Sequence, residues 1–134
     1  MSLVIDASVL AAWFFEDETD PLVDSAMEEL VRAEACAPVL LFFEVRNALL
    51  VNERRKRITQ ADTTAFLRDF ARLRIRLDPP GEEARLMALA RNRNLTVYDA
   101  AYLDVAMHRG LPIATLDRAL RTAAVAEGVP LFGA

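Results

Sequence analysis

The chain of 134 residues is long enough for one domain with one hydrophobic core, and 54% of its residues are hydrophobic. Its net charge of −4 is unlike that of an ordinary nucleic-acid-binding protein, whose surface is basic. No apolar run is long enough to span a membrane, the N-terminus lacks the features of a secretion signal, and a single cysteine, Cys36, excludes an internal disulfide. We therefore expect a single cytoplasmic domain over residues 1–134, with Cys36 as a small buried residue.

The first half of the chain alternates short apolar runs with amphipathic stretches. Ser8 is placed to cap the first predicted helix, and Thr59 is placed to cap a later one. The predicted elements are a strand at 3–6, a helix at 7–14, a charged loop at 16–21, a helix at 21–34, a strand at 35–38, and helices at 39–56 and 60–73.

The second half continues this alternation. Pro79-Pro80-Gly81 ends the strand predicted for IRLD, and Gly110 is placed to end a helix that begins near Asp99. The predicted elements are a strand at 75–78, a helix at 81–93, a short strand or extended turn at 95–97, a helix to Arg109, a strand at 111–115, a helix at 118–126 and a last strand at 129–132.

The alternation of strands and helices predicts an α/β fold, with a parallel sheet and helices on both of its faces. In such folds ligands bind beyond the carboxyl ends of the strands, at the point where the strand order reverses. Asp6 ends the first strand, Asp99 follows the 95–97 segment, and Asp117 lies just past the 111–115 strand. We expect all three to face the same edge of the sheet.

Four carboxylates are embedded in apolar sequence. They are Asp6 in VIDASVL, Glu44 in FFEVRNAL, Asp99 in VYDAAYLD and Asp117 in ATLDRAL. Burying such acids is costly unless their charge is compensated, and four converging acids would repel one another unless a cation lay between them. Carboxylate oxygens are the ligands of hard divalent ions such as Mg²⁺, so the pattern predicts a metal site.

A metal site of this kind suits phosphodiester hydrolysis. Bound Mg²⁺ lowers the pKa of a water molecule to make a nucleophile and neutralises charge that builds up on a phosphate. This chemistry needs neither histidine nor lysine, and the chain has one of each, His108 and Lys56. In the alternative interpretation the acids are unrelated: Asp6 and Asp99 complement helix dipoles and Asp117 caps the last helix. Glu44 does not fit that alternative.

Three polar residues lie near these acids in sequence or on the same helix face. Each of them, Ser8, Asn47 and Thr115, can orient a carboxylate or hold a metal-bound water. Each also has a purely structural alternative: Ser8 can cap a helix, Asn47 can occupy a partly exposed position, and Thr115 can fill a strand end. Asp104 follows Asp99 by five residues, so it points roughly 140° away on the helix, and we expect it on the solvated face.

Charge is distributed unevenly. Residues 1–35 carry nine acids and one base, whereas residues 46–76 carry nine bases and three acids. The basic segment contains the run RRKR at 54–57, which is either the solvated end of a helix or a surface that binds phosphate or an acidic partner.

The motifs together resemble the PIN-domain family, and in particular the VapC-type toxins of bacterial toxin–antitoxin pairs. The matching segments are VIDAS, FEVRNAL, TVYDAAYLDVA and PIATLD, which occur in this order and extend over the whole chain. Each segment alone is weakly specific, but four in order are specific. The resemblance implies a three-layer α/β/α sandwich with a central, mostly parallel sheet.

The resemblance also implies an activity, a Mg²⁺-dependent endoribonuclease that accepts Mn²⁺ and acts on RNA, usually tRNA or rRNA. The family's catalytic and metal-binding acids fall on Asp6, Glu44, Asp99 and Asp117, and its usual polar residues fall on Ser8, Asn47 and Thr115. A homodimer and a cognate antitoxin are implied as well, without a membrane. On this basis we expect Arg54, Arg55 and Arg57 to bind RNA next to the scissile bond.

Some alternatives stay open at this level. A PIN-like module that binds RNA or protein without cleaving it is possible, although such a module has no need to bring four acids together. Phosphatases on similar folds use a second Asp two residues after the nucleophilic one, and that position here is Ser8. The apolar Trp13-Phe14-Phe15 segment packs in the core or lines a groove for the antitoxin or a second subunit.

Overall fold

The computed structural model describes residues 1–15 and 20–133, so most of the charged loop predicted at 16–21 lies outside the described residues. The strands are β1 (Val4–Ile5), β2 (Ala35–Pro38), β3 (Ile75–Asp78) and β4 (Ile113–Ala114). The helices are α1 (Ala7–Phe15), α2 (Pro21–Arg32), α3 (Leu40–Arg54), α4 (Gln60–Arg72), α5 (Glu83–Arg93), α6 (Val97–Arg109) and α7 (Arg118–Ala126).

The four strands form one parallel sheet in the order β3-β2-β1-β4. Val4 pairs with Cys36 on one side and with Ile113 on the other, which makes β1 a central strand. The strand order runs outward from β1 to β3 and then returns to place β4 on the other side of β1. The reversal point therefore lies between β1 and β4, where this class of sheet binds ligands.

The strands are continuous apolar runs because both faces of a parallel sheet are covered by helices. Leu3, Val4 and Ile5 are fully buried, and α3 and α6 pack against the sheet. Cys36 lies fully buried in β2, as expected, and its burial raises the pKa of its thiol to about 11. The sheet with its seven helices confirms the predicted α/β/α fold.

Two local predictions were wrong, and a third was right in part. Ser8 does not cap α1, because the carboxylate of Asp6 comes one residue before the helix and accepts the Val9 N–H at 3.2 Å. Segment 95–97, predicted as a short strand or an extended turn, is not a strand. Thr96 has an extended backbone and caps α6 by accepting the Asp99 N–H at 3.1 Å, and Val97 already begins that helix.

The second error is the last strand predicted at 129–132. Only an isolated parallel bridge joins Leu131 to Ile113, since Pro130 has no N–H to continue a ladder.

By contrast, the helix ends were predicted well. Thr59 and Asp62 form a reciprocal capping box at α4, and Gly110 ends α6 with a φ of 65°. No helix in the described part of the chain has the length and apolar character needed to cross a bilayer.

Candidate active site

Asp6 is the most buried carboxylate at this edge of the sheet, with a relative exposure of 5%. It accepts three hydrogen bonds: from the Ser8 hydroxyl at 2.6 Å, from the Val9 N–H at 3.2 Å, and from the Thr115 hydroxyl. Burial raises the pKa of the Asp6 carboxyl, and these hydrogen bonds oppose that rise. The side chain is thus fixed in place but still costly to ionise.

Two hydroxyls connect Asp6 to the loop that carries Asp117. Ser8 Oγ accepts the Leu116 N–H at 2.9 Å, and Thr115 Oγ1 accepts the Asp117 N–H at 3.0 Å. Each hydroxyl accepts from this loop and donates to Asp6, so the end of β1 and the loop after β4 are held together. Ser8 and Thr115 therefore contact Asp6 and fix the approach of Asp117 to it.

Glu44 lies half-buried on α3 and accepts a hydrogen bond from the hydroxyl of Tyr102, at 2.5 Å from its Oε1. Burial raises the pKa of Glu44, the Tyr102 hydrogen bond lowers it, and the charges of Asp6 and Asp99 raise it further. The pKa of Tyr102 itself is raised, first by burial and then by Glu44. The tyrosine therefore remains a neutral donor to a carboxylate that other carboxylates repel.

Asp99 and Asp117 complete the group. Asp99 is half-buried in the first turn of α6, where burial and the charge of Asp117 raise its pKa. Asp117 is the N-cap of α7 and accepts the Leu120 N–H at 2.8 Å, so the capping role considered from the sequence is present too. A capping carboxylate oxygen still leaves the other oxygen free for a ligand.

The four carboxylates are coupled electrostatically and have no cationic partner among the residues that the structure describes. Asp6 and Asp99 act on Glu44, and Asp117 acts on Asp99. Every ion pair found within 4.0 Å in the described part of the chain lies elsewhere. Arg121 on α7 donates to the backbone carbonyl of Thr115 at 3.0 Å rather than to one of these acids.

The donor set fits a hard divalent cation in its chemistry, since every side chain offers carboxylate oxygen. The pKa values of Glu44 and Asp99 are raised first by burial and further by the charges of neighbouring acids. As placed, however, no three His, Cys, Asp or Glu side chains among residues 1–15 and 20–133 are close enough to hold one ion. Asp6 is fixed by three hydrogen bonds and is buried, whereas Glu44, Asp99 and Asp117 are half-buried.

The structure corrects the expectation for Asp104. Its relative exposure is 4%, and Arg85 of α5 binds it bidentately, with Nε and Nη2 at 2.6 and 3.2 Å from its two oxygens. Gly81 makes room for this pair, because a Cβ there would lie 2.5 Å from Asp104 Oδ2. Asp104 is on a buried face of α6 because α5 packs there, which helical spacing alone does not reveal.

Asn47 and the basic run lie outside the carboxylate cluster. Asn47 is exposed one turn after Glu44 and contributes to none of the carboxylate hydrogen bonds described above. Arg54, Arg55 and Arg57 are exposed at the turn between α3 and α4. Arg54 follows Glu44 by ten residues on one helix, which corresponds to about 15 Å along its axis.

Tyr102 was missed from the sequence. It follows Asp99 by three residues and so lies on the same face of α6, a spacing that could have identified it. A tyrosine among apolar residues is usually assigned to the core, and with a relative exposure of 2% Tyr102 is also a core residue.

Comparison with known proteins agrees with this architecture. The family model described as "PIN domain" matches residues 3–126, and the chain therefore belongs to the PIN-domain family. It is 29% identical over 123 residues to Ribonuclease VapC3 of Pyrobaculum aerophilum, a match that covers 90% of this chain and 92% of that protein. The crystal structure of PAE2754 from Pyrobaculum aerophilum superposes with a TM-score of 0.73 at 25% identity and covers 92% of this chain and 79% of that one.

Proposed function

We propose that this PIN-domain protein is a metal-dependent endoribonuclease that acts as the toxin of a toxin–antitoxin pair. The observation that carries the proposal is a group of four coupled carboxylates at the strand-order reversal of a parallel sheet, with no cationic partner within residues 1–15 and 20–133. The similarity to a protein named Ribonuclease VapC3 supports RNA as the substrate.

The four carboxylates Asp6, Glu44, Asp99 and Asp117 would hold Mg²⁺ or Mn²⁺. When bound, the ion supplies an activated water and offsets charge on the phosphate. Asp6 is the fixed ligand of this set, because Ser8 and Thr115 hold both of its oxygens. Thr115 also accepts the backbone N–H of Asp117, so the hydroxyls set the spacing of two ligands that follow different strands.

The substrate strand would run from the carboxylates toward the turn between α3 and α4. Arg54, Arg55 and Arg57 are exposed there, and none forms an ion pair within the described residues. The distance of about 15 Å between Glu44 and Arg54 places these bases beside RNA that flanks the cut rather than at the scissile phosphate. These exposed bases explain how a chain with a negative net charge can bind RNA, which is a polyanion.

An antitoxin would be bound in the groove between α1 and α4, which has a volume of about 770 Å³. Trp13 and Phe14 pack against Phe66, with ring centroids 5.5 and 4.2 Å away, and they also line this groove. Arg57 and Asp62 line it as well, which suits an amphipathic segment with charges beside its apolar face. Co-expression with the product of an adjacent small gene should block RNA cleavage, and undiminished cleavage would contradict this assignment.

Homodimerisation is part of the same proposal. Val39, Phe42 and Phe43 form an exposed apolar patch at the start of α3, with Phe43 66% exposed. A second copy would cover such a patch. Light scattering should give twice the chain mass of 14.9 kDa, and a monomer at all concentrations would contradict it.

The test is cleavage of total RNA by the purified protein with Mg²⁺ or Mn²⁺. We expect cleavage that a chelator stops and that Asp6→Asn lowers by roughly a thousandfold, since a catalytic metal contributes several kcal/mol. Cleavage that survives chelation or the substitution would refute the mechanism. Metal-independent RNA binding without any cleavage would favour the second candidate, a non-cleaving PIN-like binding module.

A further inference from the structure

Tyr102 connects the two helices that carry acids on opposite sides of the site. It lies on α6, three residues after Asp99, and its hydroxyl donates to Glu44 on α3 at 2.5 Å. The two residues are 58 positions apart in sequence, so the bond is purely tertiary. It is the one hydrogen bond between side chains that joins α3 to α6 in the described part of the chain.

The packing of Tyr102 in the core does not require its hydroxyl. Tyr102 has a relative exposure of 2%, and a phenylalanine would fill the same apolar space. A buried hydroxyl must find a partner to offset its desolvation, and here the partner is a carboxylate that Asp6 and Asp99 repel. The bond therefore holds Glu44 in the direction of the other acids.

The position of the bond also determines which oxygen of Glu44 remains available. Tyr102 contacts Oε1, and no other hydrogen bond to the Glu44 carboxylate is present in the described residues. Oε2 is thus free for a cation. Residues that hold a metal ligand through its second atom commonly change metal affinity by tenfold to a hundredfold when they are removed.

We propose that Tyr102 is a positioning residue for the metal site: its hydroxyl fixes Glu44 through Oε1 and presents Oε2 to the divalent ion. This inference rests on the proposed function, because it needs Glu44 to be a metal ligand. It gives Tyr102 a role beyond packing in the core, and the four carboxylates alone do not imply that role.

The chain offers a matched control on the same helix. Tyr98 lies one turn before Tyr102 and is 65% exposed. Tyr98→Phe removes the same atom as Tyr102→Phe without affecting Glu44. A general effect of losing a tyrosine hydroxyl would appear in both variants, whereas a positioning effect would appear only in Tyr102→Phe.

The experiment is calorimetric titration of the metal-free protein with Mn²⁺ in the absence of RNA. Tyr102→Phe should weaken Mn²⁺ binding about tenfold, and Tyr98→Phe should change it less than about twofold. In a Glu44→Ala background, Tyr102→Phe should have no further effect, because the group that it positions is gone. Equal affinity in wild type and Tyr102→Phe, or an undiminished tenfold loss in the Glu44→Ala background, would overturn the proposal.

A measurement on the wild-type protein keeps the test independent of how the variants fold. The buried Tyr102 hydroxyl proton should give a slowly exchanging proton resonance that shifts when diamagnetic Mg²⁺ is added. A resonance that saturating Mg²⁺ leaves in place overturns the positioning role even when the metal binds. Wild-type protein that takes up neither ion contradicts the proposed metal site itself, which separates the two failures.

Discussion

Two groups of buried or half-buried carboxylates in this molecule are compensated in different ways. Asp104 is paired with Arg85, and Asp78 is held by Arg109 with two nitrogens at 2.5 and 2.6 Å. In the described part of the chain, the carboxylates at the β1–β4 reversal have hydroxyl and backbone donors but no arginine. Arginine pairing lowers the pKa of Asp78, whereas burial raises the pKa of Asp6 and Asp99.

This difference separates stabilising acids from candidate functional ones. A paired acid contributes to the fold by itself, whereas a set of unpaired, mutually repelling acids lowers stability until a cation arrives. Strongly perturbed carboxylates gathered in one place are typical of functional sites. The two groups should therefore respond in opposite directions when a charge is removed.

The largest effect on stability should come from breaking a pair. Arg85→Leu leaves Asp104 buried without its partner, so the melting temperature should fall by about 5 °C. Arg91→Leu, at an exposed position of the same helix, is the matched control and should change it by less than about 2 °C. Thermal unfolding measures the melting temperatures of both variants. Equal changes in the two would show that the Arg85–Asp104 pair has no special role.

The contrast extends to the bases, since Arg85 and Arg109 are committed to acids while the basic turn is not. Replacing Arg54, Arg55 and Arg57 by Gln should weaken RNA binding about tenfold and reduce its salt slope by about 2. Replacing Arg68, Arg72 and Arg91 by Gln makes the same change in net charge at other exposed positions. Filter binding across salt concentrations measures both, and identical slopes in the two triple variants would refute a specific RNA path.

Neutralising an unpaired acid should raise the melting temperature rather than lower it. Asp99→Asn removes a charge that Asp117 repels, so the metal-free melting temperature should rise by about 3 °C. The same change at Asp104 should lower it, because Arg85 then loses its charged partner. Calorimetric scans in chelator compare the two variants, and a fall in both would contradict the distinction between the groups.

The smallest effect should be in the pH dependence. The pKa values of Asp6, Glu44 and Asp99 are raised in the fold, so the native state binds these protons more tightly than the unfolded chain. Metal-free protein should therefore become more stable as the pH falls from about 7 to about 5. Asp78, with its lowered pKa, loses its contribution only at more acid pH.

Urea unfolding at both pH values measures this slope. The double variant with Glu44→Gln and Asp99→Asn should show a flatter dependence, because two of the three raised groups no longer titrate. A wild-type protein that loses stability over the same interval would contradict the sign.

The sequence predicted those features that depend on local order. The acids at 6, 99 and 117 could be placed because each follows a strand or begins a helix, and those boundaries are set by nearby residues. Glu44 could be singled out because its neighbours are apolar. The cap of α1 was misassigned because Asp6 and Ser8 both suit the position, and only the fold shows that Ser8 faces the loop after β4.

The rest depends on tertiary partners. Arg85 and Asp104 are 19 residues apart, and Tyr102 and Glu44 are 58 apart, so no local pattern connects them. The last strand was predicted but is not formed. VPLF has the composition of a strand, but Pro130 lacks the N–H that would continue the hydrogen bonds to β4.

The most direct test of one metal site is the change in melting temperature that Mn²⁺ produces. At about a hundredfold above the Kd, the wild-type protein should gain about 5 °C or more, because only the native state binds the ion. Asp6→Asn, Glu44→Gln, Asp99→Asn and Asp117→Asn should each lose most of that gain, whereas Asp69→Asn, an exposed acid on α4, should retain it. A wild-type melting temperature that Mn²⁺ does not change, or a gain retained in all four variants, would contradict the account.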